Sequence, residues 1–176
     1  MIKALEELKN KIEKEGGSAY LKSVEEIIKY AKKKKKALYT AAFLTPSGKE
    51  MLENWWGTVV QKELHSKHFM HHMTIKFKPS EEEVLALPID GKIVKLKIIG
   101  YNEDDRGQAV MVAGVASSNS IPHITVSTTE ETSPVYSNEL LGVGINEVDG
   151  VELDARIGFF NGKEARYDFE GSIYED

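Results

Sequence analysis

The chain has 176 residues, of which 41% are apolar and 29% charged, with 23 Lys and Arg against 28 Asp and Glu and no cysteine. That length suits one domain able to bury a core unaided, and without cysteine there is no disulfide, thiolate zinc site or cysteine nucleophile. A formal net charge of -5 argues against a grip on long duplex nucleic acid, which shows as a basic stripe, but leaves a small phosphate ligand allowed.

Residues 2–14 place Leu5, Leu8 and Ile12 at helical spacing and stop at Gly16-Gly17. This charge-rich opening, with no apolar stretch of the roughly 18–20 residues a membrane span needs, is expected of a cytoplasmic protein with no membrane partner. A second helix carries Tyr20, Leu21, Val24, Ile27, Ile28 and Ala31 on one face. The run Lys32 to Lys36 follows, where cations complement the negative end of the helix dipole. Residues 37–44 read as a buried strand. Ser47 and Glu50 have the spacing of a capping box, opening a helix that bears Met51, Leu52, Trp55 and Trp56. Adjacent tryptophans on a helix diverge by about 100°, so one of the two is expected at the surface.

Residues 70–77 alternate as a strand, and Ser80 with Glu83 forms a second capping box. Residues 92–101 and 108–116 flank an acidic turn as a hairpin, with Arg106 expected in an exposed ion pair. Residues 122–128 make another strand, and 151–160 with 164–169 flank Asn161-Gly162, a strong hairpin signal. Three or four helices and six or seven hairpin-joined strands favour an α+β domain of antiparallel sheets covered by helices. The expected division is a helical segment, 1–36, packed on the domain formed by 37–176.

One short phrase occurs twice. His72-Met73-Thr74-Ile75 and His123-Ile124-Thr125-Val126 both read His, apolar, Thr, apolar, each within an expected strand. Side chains alternate across a strand, so His72 shares a face with Thr74 and His123 with Thr125, while the intervening residues anchor the core. A single histidine on a strand is as often a satisfied surface group as a functional one; the repetition is what points to function. An imidazole titrates near pH 6.5, so two converging rings divide acid and base work at neutral pH. In phosphodiester cleavage one ring takes the proton of the attacking oxygen and the other protonates the departing oxygen, while the threonine hydroxyls hold the non-bridging oxygens. This chemistry needs no metal or other cofactor.

These motifs resemble those of the 2H phosphoesterases, named for two His-x-Ser/Thr phrases. The stretch Ser118 to Thr128, followed by Pro134-Val135-Tyr136-Ser137-Asn138-Glu139-Leu140-Leu141, is similar to the second half of the cyclic phosphodiesterase domain of fungal-type tRNA ligases. The likeness extends over about residues 37–142. It implies a bilobal α+β fold with antiparallel sheets lining a central cleft and helices outside, to which this chain adds its N-terminal helices. It also implies hydrolysis of a 2′,3′-cyclic phosphate on RNA or a nucleotide, with His72, His123, Thr74 and Thr125 around the phosphate. Neither the ligase nor the kinase module of the tRNA ligases is expected within these 176 residues. Small stand-alone members of the superfamily include viral enzymes that destroy cyclic oligonucleotide defence signals, a rival substrate class that would place the protein in a host cytoplasm.

Around the motifs, Tyr39 and Tyr136 are candidates to stack on a base. Ser137 and Asn138 are candidates to touch the ligand or to cap a short helix. His65, His68 and His72 have the spacing of a zinc site only if their segment is one continuous helix, which the strand pattern over 70–77 opposes. By alternation His71 is expected to face away from His72. There is no phosphate-binding G-x-x-x-x-G-K-S/T loop and no G-x-S-x-G elbow. A non-catalytic nucleotide-binding module and a structural partner built on the N-terminal helices are the readings from other classes; neither uses the repeated phrase.

Overall fold

The computed structural model describes residues 2–32 and 37–168. The lysine run beyond residue 32 and the end of the last expected strand lie outside the described residues. Two units are distinguished, residues 1–36 with 169–176, and residues 37–168.

In the first unit, α1 (Ile2–Lys14) and α2 (Ser18–Lys32) form a helical pair. Gly16 takes the left-handed φ of 73° that the turn requires, and the Gly17 N–H donates to the Ile12 carbonyl at 3.1 Å. Lys9 meets Glu25 across the pair at 3.3 Å. Val24 and Ile28 are buried, whereas Tyr20 and Ile27 are exposed, so the buried stripe of α2 is narrower than the sequence suggests.

The second unit contains β1 (Tyr39–Leu44), α3 (Pro46–Trp55) with a π-helical turn at Trp56–Val60, β2 (Lys67–His68), β3 (His72–Phe77) and α4 (Glu81–Leu85). These are followed by β4 (Ile93–Glu103), β5 (Gly107–Ala113), β6 (His123–Thr128), α5 (Tyr136–Val143), β7 (Asn146–Glu147), β8 (Glu152–Phe160) and β9 (Ala165–Arg166). The Ser80–Glu83 box caps α4 as expected. The cap of α3, however, is Thr45, whose hydroxyl accepts from the Gly48 N–H at 3.1 Å; Ser47 instead bonds to Asp154. Pro46 fits the first helical position because its missing N–H would have no partner there. Gly48 is where α3 lies on β8: a Cβ at that position would sit 2.1 Å from the Asp154 carbonyl oxygen. Both tryptophans are buried, against the expectation that one faces solvent. Tyr101 stands nearly edge-on to both rings, with centroids 6.1 Å away in each case, and the wider π turn begins at Trp56. The Trp56 indole N–H is satisfied by the Lys62 carbonyl at 2.9 Å.

The bilobal α+β architecture with two sheets lining a central cleft is not what forms. The strands β4-β5-β6-β3-β1-β8 make one antiparallel sheet that closes on itself through β4–β8 pairing, a six-stranded barrel to which β2, β7 and β9 add short pieces. Length explains the closure. The eleven residues of β4 pair with β5 over 97–103 and with β8 over 93–97, and β8 pairs with β4 through 152–156 and with β1 through 155–160. Two long strands therefore each serve two neighbours, and no edge is left for a second sheet. The registers put Ala42, Met73, Ile124, Val110, Ile157 and Leu153 on the inner face, all buried. Residues alternating with these point outward, and His72, Thr74, His123 and Thr125 are among them.

The wall is uneven. Most neighbouring strands pair over five or more residues, but β3 and β6 share a single pair, Met73 with Ile124. Between it and the preceding pair, His68 with Ser127, four residues (Phe69 to His72) lie opposite two (Thr125 and Val126). This is an enlarged β-bulge, turned by Met70 at a left-handed φ of 61°. At this seam the outer face opens.

Candidate active site

The single β3–β6 pair fixes the site. Because Met73 faces Ile124 across antiparallel strands with both side chains inward, the residues flanking this pair, His72 and Thr74 on β3 and His123 and Thr125 on β6, share the outer face at the seam. All four side chains line one cleft of about 350 Å³, together with Phe69, His71, Phe77, Asn119, Pro134, Val135 and Asn138. Among these lining residues there is no Lys or Arg.

His123 is buried, and its Nδ1–H donates to the Ile121 carbonyl at 2.7 Å. A carbonyl can only accept, so the proton sits on Nδ1 and Nε2 is left for the cleft. His72 is held differently. Tyr39 stacks on its ring at 5.0 Å and 24°, Phe43 tilts against it at 5.7 Å, and Phe160 stacks on the far side of Tyr39 at 5.3 Å. The Nδ1 of His72 lies 2.5 Å from the Nδ1 of His71, whose ring is stacked at 4.7 Å. His71 thus turns toward His72 and not away, because the bulge before β3 breaks the alternation on which the opposite expectation rests.

Burial lowers the pKa of both motif histidines. For His72 the value falls to about 3, first through desolvation and then through the neighbouring imidazoles of His71 and His123. For His123 desolvation also lowers it, but the hydrogen bond to Ile121 acts in the other direction by stabilising the cation. His72 is therefore neutral at neutral pH, and the Ile121 bond makes a second proton less unfavourable on His123.

The Thr125 hydroxyl is oriented by a neighbour. Thr125 Oγ1 is 2.8 Å from Ser137 Oγ, and Ser137 is buried near the start of α5. Helix α5 is anchored by Leu140 and Leu141 against Ala109 of β5, with Ile121 and Ile145 packed around them. The Ser117 hydroxyl donates to the Thr74 carbonyl at 2.7 Å and its Oγ accepts the Asn119 N–H at 3.1 Å, which ties the Asn119 loop to β3.

Of the residues singled out in the sequence, Asn138 lines the cleft, Ser137 stands behind Thr125 and Tyr39 stands behind His72. Tyr136 is turned elsewhere: its hydroxyl donates to Asp104 Oδ2 at 2.5 Å and the Arg106 guanidinium lies 4.1 Å over its ring. Arg106 accordingly makes a cation–π contact in place of the expected simple ion pair. His65 bonds the Asp104 carbonyl at 2.8 Å and His68 is exposed on β2; among the described residues no three metal-type side chains gather. Sequence reasoning missed Phe77 and Val135, which are 64% and 72% exposed beside the motif groups. Large exposed apolar groups at a cleft are a ligand signal only once the cleft is known.

A closed antiparallel barrel thus carries two His-x-Thr strands side by side on its outer wall, with the four motif side chains in one cleft. Residues 62–165, more than half of the chain and including both motifs, match the family described as the fungal tRNA ligase phosphodiesterase domain. The protein belongs to this family of 2H phosphoesterases, and its general activity is that of a cyclic phosphodiesterase, a phosphoester hydrolase. No curated protein sequence matches the chain. No helix among the described residues is long and apolar enough to cross a membrane.

Proposed function

We propose that the protein hydrolyses a 2′,3′-cyclic phosphate at an RNA end or on a nucleotide, with His72 as general base and His123 as general acid. The observation that carries this reading is the placement of two imidazoles and two hydroxyls, from adjacent strands, in one cleft. Water gives its proton to Nε2 of His72 as its oxygen bonds to phosphorus. The bond from phosphorus to one ribose oxygen breaks, and that oxygen takes the proton from Nε2 of His123. The products are a ribose hydroxyl and a phosphomonoester; a net proton transfer through solvent then resets the two rings.

The environments support the division of labour. The anion entering between the rings favours protonation of one of them, and His123 has a carbonyl to stabilise the charge while His72 faces two other imidazoles. Thr74 and Thr125 hydrogen-bond the non-bridging oxygens. Phe77 and Val135 offer apolar surface to the nucleobase, and Asn119 and Asn138 offer polar groups to its edge or to the ribose. A cleft of 350 Å³ without Lys or Arg suits one nucleotide carrying a monoanionic diester, near the lower end of ligand-site volumes of roughly 300–1,000 Å³. That favours a terminal cyclic phosphate over a macrocyclic oligonucleotide.

The test incubates chelator-treated protein with RNA ending in a 2′,3′-cyclic phosphate, with nucleoside 2′,3′-cyclic phosphates and with cyclic oligonucleotides, following products by mass. Addition of one water to the cyclic phosphate substrates is expected. Opening of the cyclic oligonucleotides alone, or turnover lost to the chelator, would overturn the reading.

A further inference from the structure

His71 is a motif neighbour that the reaction above does not use. It is exposed as a residue, yet its imidazole is packed between the edge of Phe69, at 5.8 Å, and the stacked ring of His72. Its position is fixed by backbone bonds on both sides of the bulge. The His71 carbonyl accepts the Leu44 N–H at 2.9 Å, and the Met70 N–H donates to the Thr125 carbonyl at 2.9 Å. Consecutive residues on a regular strand cannot bring their rings together; here the left-handed Met70 and the two extra residues of the bulge do so.

A nitrogen-to-nitrogen contact of 2.5 Å requires one proton between the two Nδ1 atoms, one ring donating and the other accepting. If His72 donates, its neutral form has a bare Nε2 and can act as a base. If His71 donates, the neutral form of His72 carries its proton on Nε2 and cannot. We infer that His71 is a positioning residue: it accepts the Nδ1 proton of His72, fixing the tautomer in which His72 Nε2 is free to take a proton from the attacking water. This deepens the proposed function and rests on its assignment of His72 as base. His71 then carries its own proton on Nε2. The role is the one a carboxylate or carbonyl plays behind other catalytic histidines, and His123 has the Ile121 carbonyl in that place.

The pair also sets a pH dependence. His72 faces His71, His123 of β6 and the ring of Tyr39 on β1, whose hydroxyl stays protonated well above neutrality because burial raises its pKa. His71 faces Lys49 of α3, a cation that, after desolvation, further disfavours its protonation. Replacing His71 with a residue that cannot be charged removes one opponent of a proton on His72, so the pKa of His72 should rise.

The experiment compares His71→Asn, whose amide oxygen can still accept, with His71→Phe, which cannot, and uses His68→Asn as a surface control. Steady-state rates are measured across pH on a 2′,3′-cyclic nucleotide, and ring ¹⁵N spectra of His72 are recorded for each protein without substrate. His71→Phe should lower kcat about tenfold or more with little change in KM and should move the His72 proton from Nδ1 to Nε2. His71→Asn should recover most of kcat, keep the Nδ1 proton, and shift the acidic limb of the profile to higher pH. The proposal is overturned if His72 carries its proton on Nε2 in the unmodified protein, or if His71→Phe leaves both tautomer and kcat unchanged. The spectra decide it even if the chosen nucleotide is not turned over, an outcome that would count against the proposed substrate and not against the His71–His72 pairing.

Discussion

The two motif histidines occupy equivalent positions in their phrases but unlike surroundings. His123 is on a strand paired with β5 through Val110 and Met111, is buried, and rests its Nδ1 on a main-chain carbonyl. His72 begins a strand that emerges from a bulge and is surrounded by side chains, Tyr39, Phe43 and His71. The lesson is that a sequence repeat need not imply chemical symmetry. A rigid carbonyl dipole supports an added positive charge, whereas burial beside two other imidazoles resists it; on the proposed mechanism the first ring starts protonated, as the acid, and the second starts neutral, as the base.

The comparison breaks most decisively if either ring proves dispensable. His72→Ala and His123→Ala should each lower kcat about 10²–10⁴-fold while nucleotide binding survives, measured by steady-state kinetics beside calorimetry. The double variant should be little slower than the slower single one, because the rings act on one transition state. Next in size, Thr74→Val and Thr125→Val each remove a hydrogen bond that strengthens as charge develops on the phosphate. Each should cost roughly 10–100-fold in kcat/KM, less than the 10²–10³-fold, or about 2.7–4 kcal/mol, seen for the strongest such donors. Ser137→Ala should cost less, about 2–10-fold in kcat/KM, since it removes only the partner of Thr125 and a net hydrogen bond is worth about 0.5–1.5 kcal/mol.

Stability sharpens the same contrast. The pKa of His72 lies near 3 in the folded chain against 6.5 for an unperturbed histidine. Between those values the unfolded chain binds the proton that the folded chain refuses, so stability falls as pH falls through that window. His72→Phe, which keeps the aromatic packing, should flatten this acid-side loss in a series of melting temperatures against pH. The smallest effect is expected at Tyr136, outside the cleft. Tyr136→Phe should cost about 1 kcal/mol of stability through the lost bond to Asp104 and leave kcat/KM unchanged.

Much of this was legible before any coordinates. Period-two alternation located the strands, Ser80 with Glu83 marked a helix start, and the repeated phrase marked the four groups that meet in the cleft. The failures came where long-range pairing overrides local pattern. Nothing in residues 93–103 or 152–160 announces that each strand has two partners, so the sequence points to a bilobal arrangement of antiparallel sheets and not to a closed barrel. Alternation also misplaced His71, because a bulge two residues deep leaves no composition signal beyond the positive φ at Met70, a residue without the usual glycine or asparagine preference for it. The sequence marks Tyr39 and Ser137 as ligand candidates, but in the fold they back His72 and Thr125, and only packing distinguishes touching a ligand from holding the group that does.

The most direct check is a crystal structure of the protein with a nucleoside 2′-monophosphate. The phosphorus should lie between the strands, with Nε2 of His72 and of His123 and the hydroxyls of Thr74 and Thr125 each about 3 Å from its oxygens. A phosphate bound elsewhere on the barrel, or in contact with one imidazole while the other faces away, would contradict the shared-phosphate mechanism.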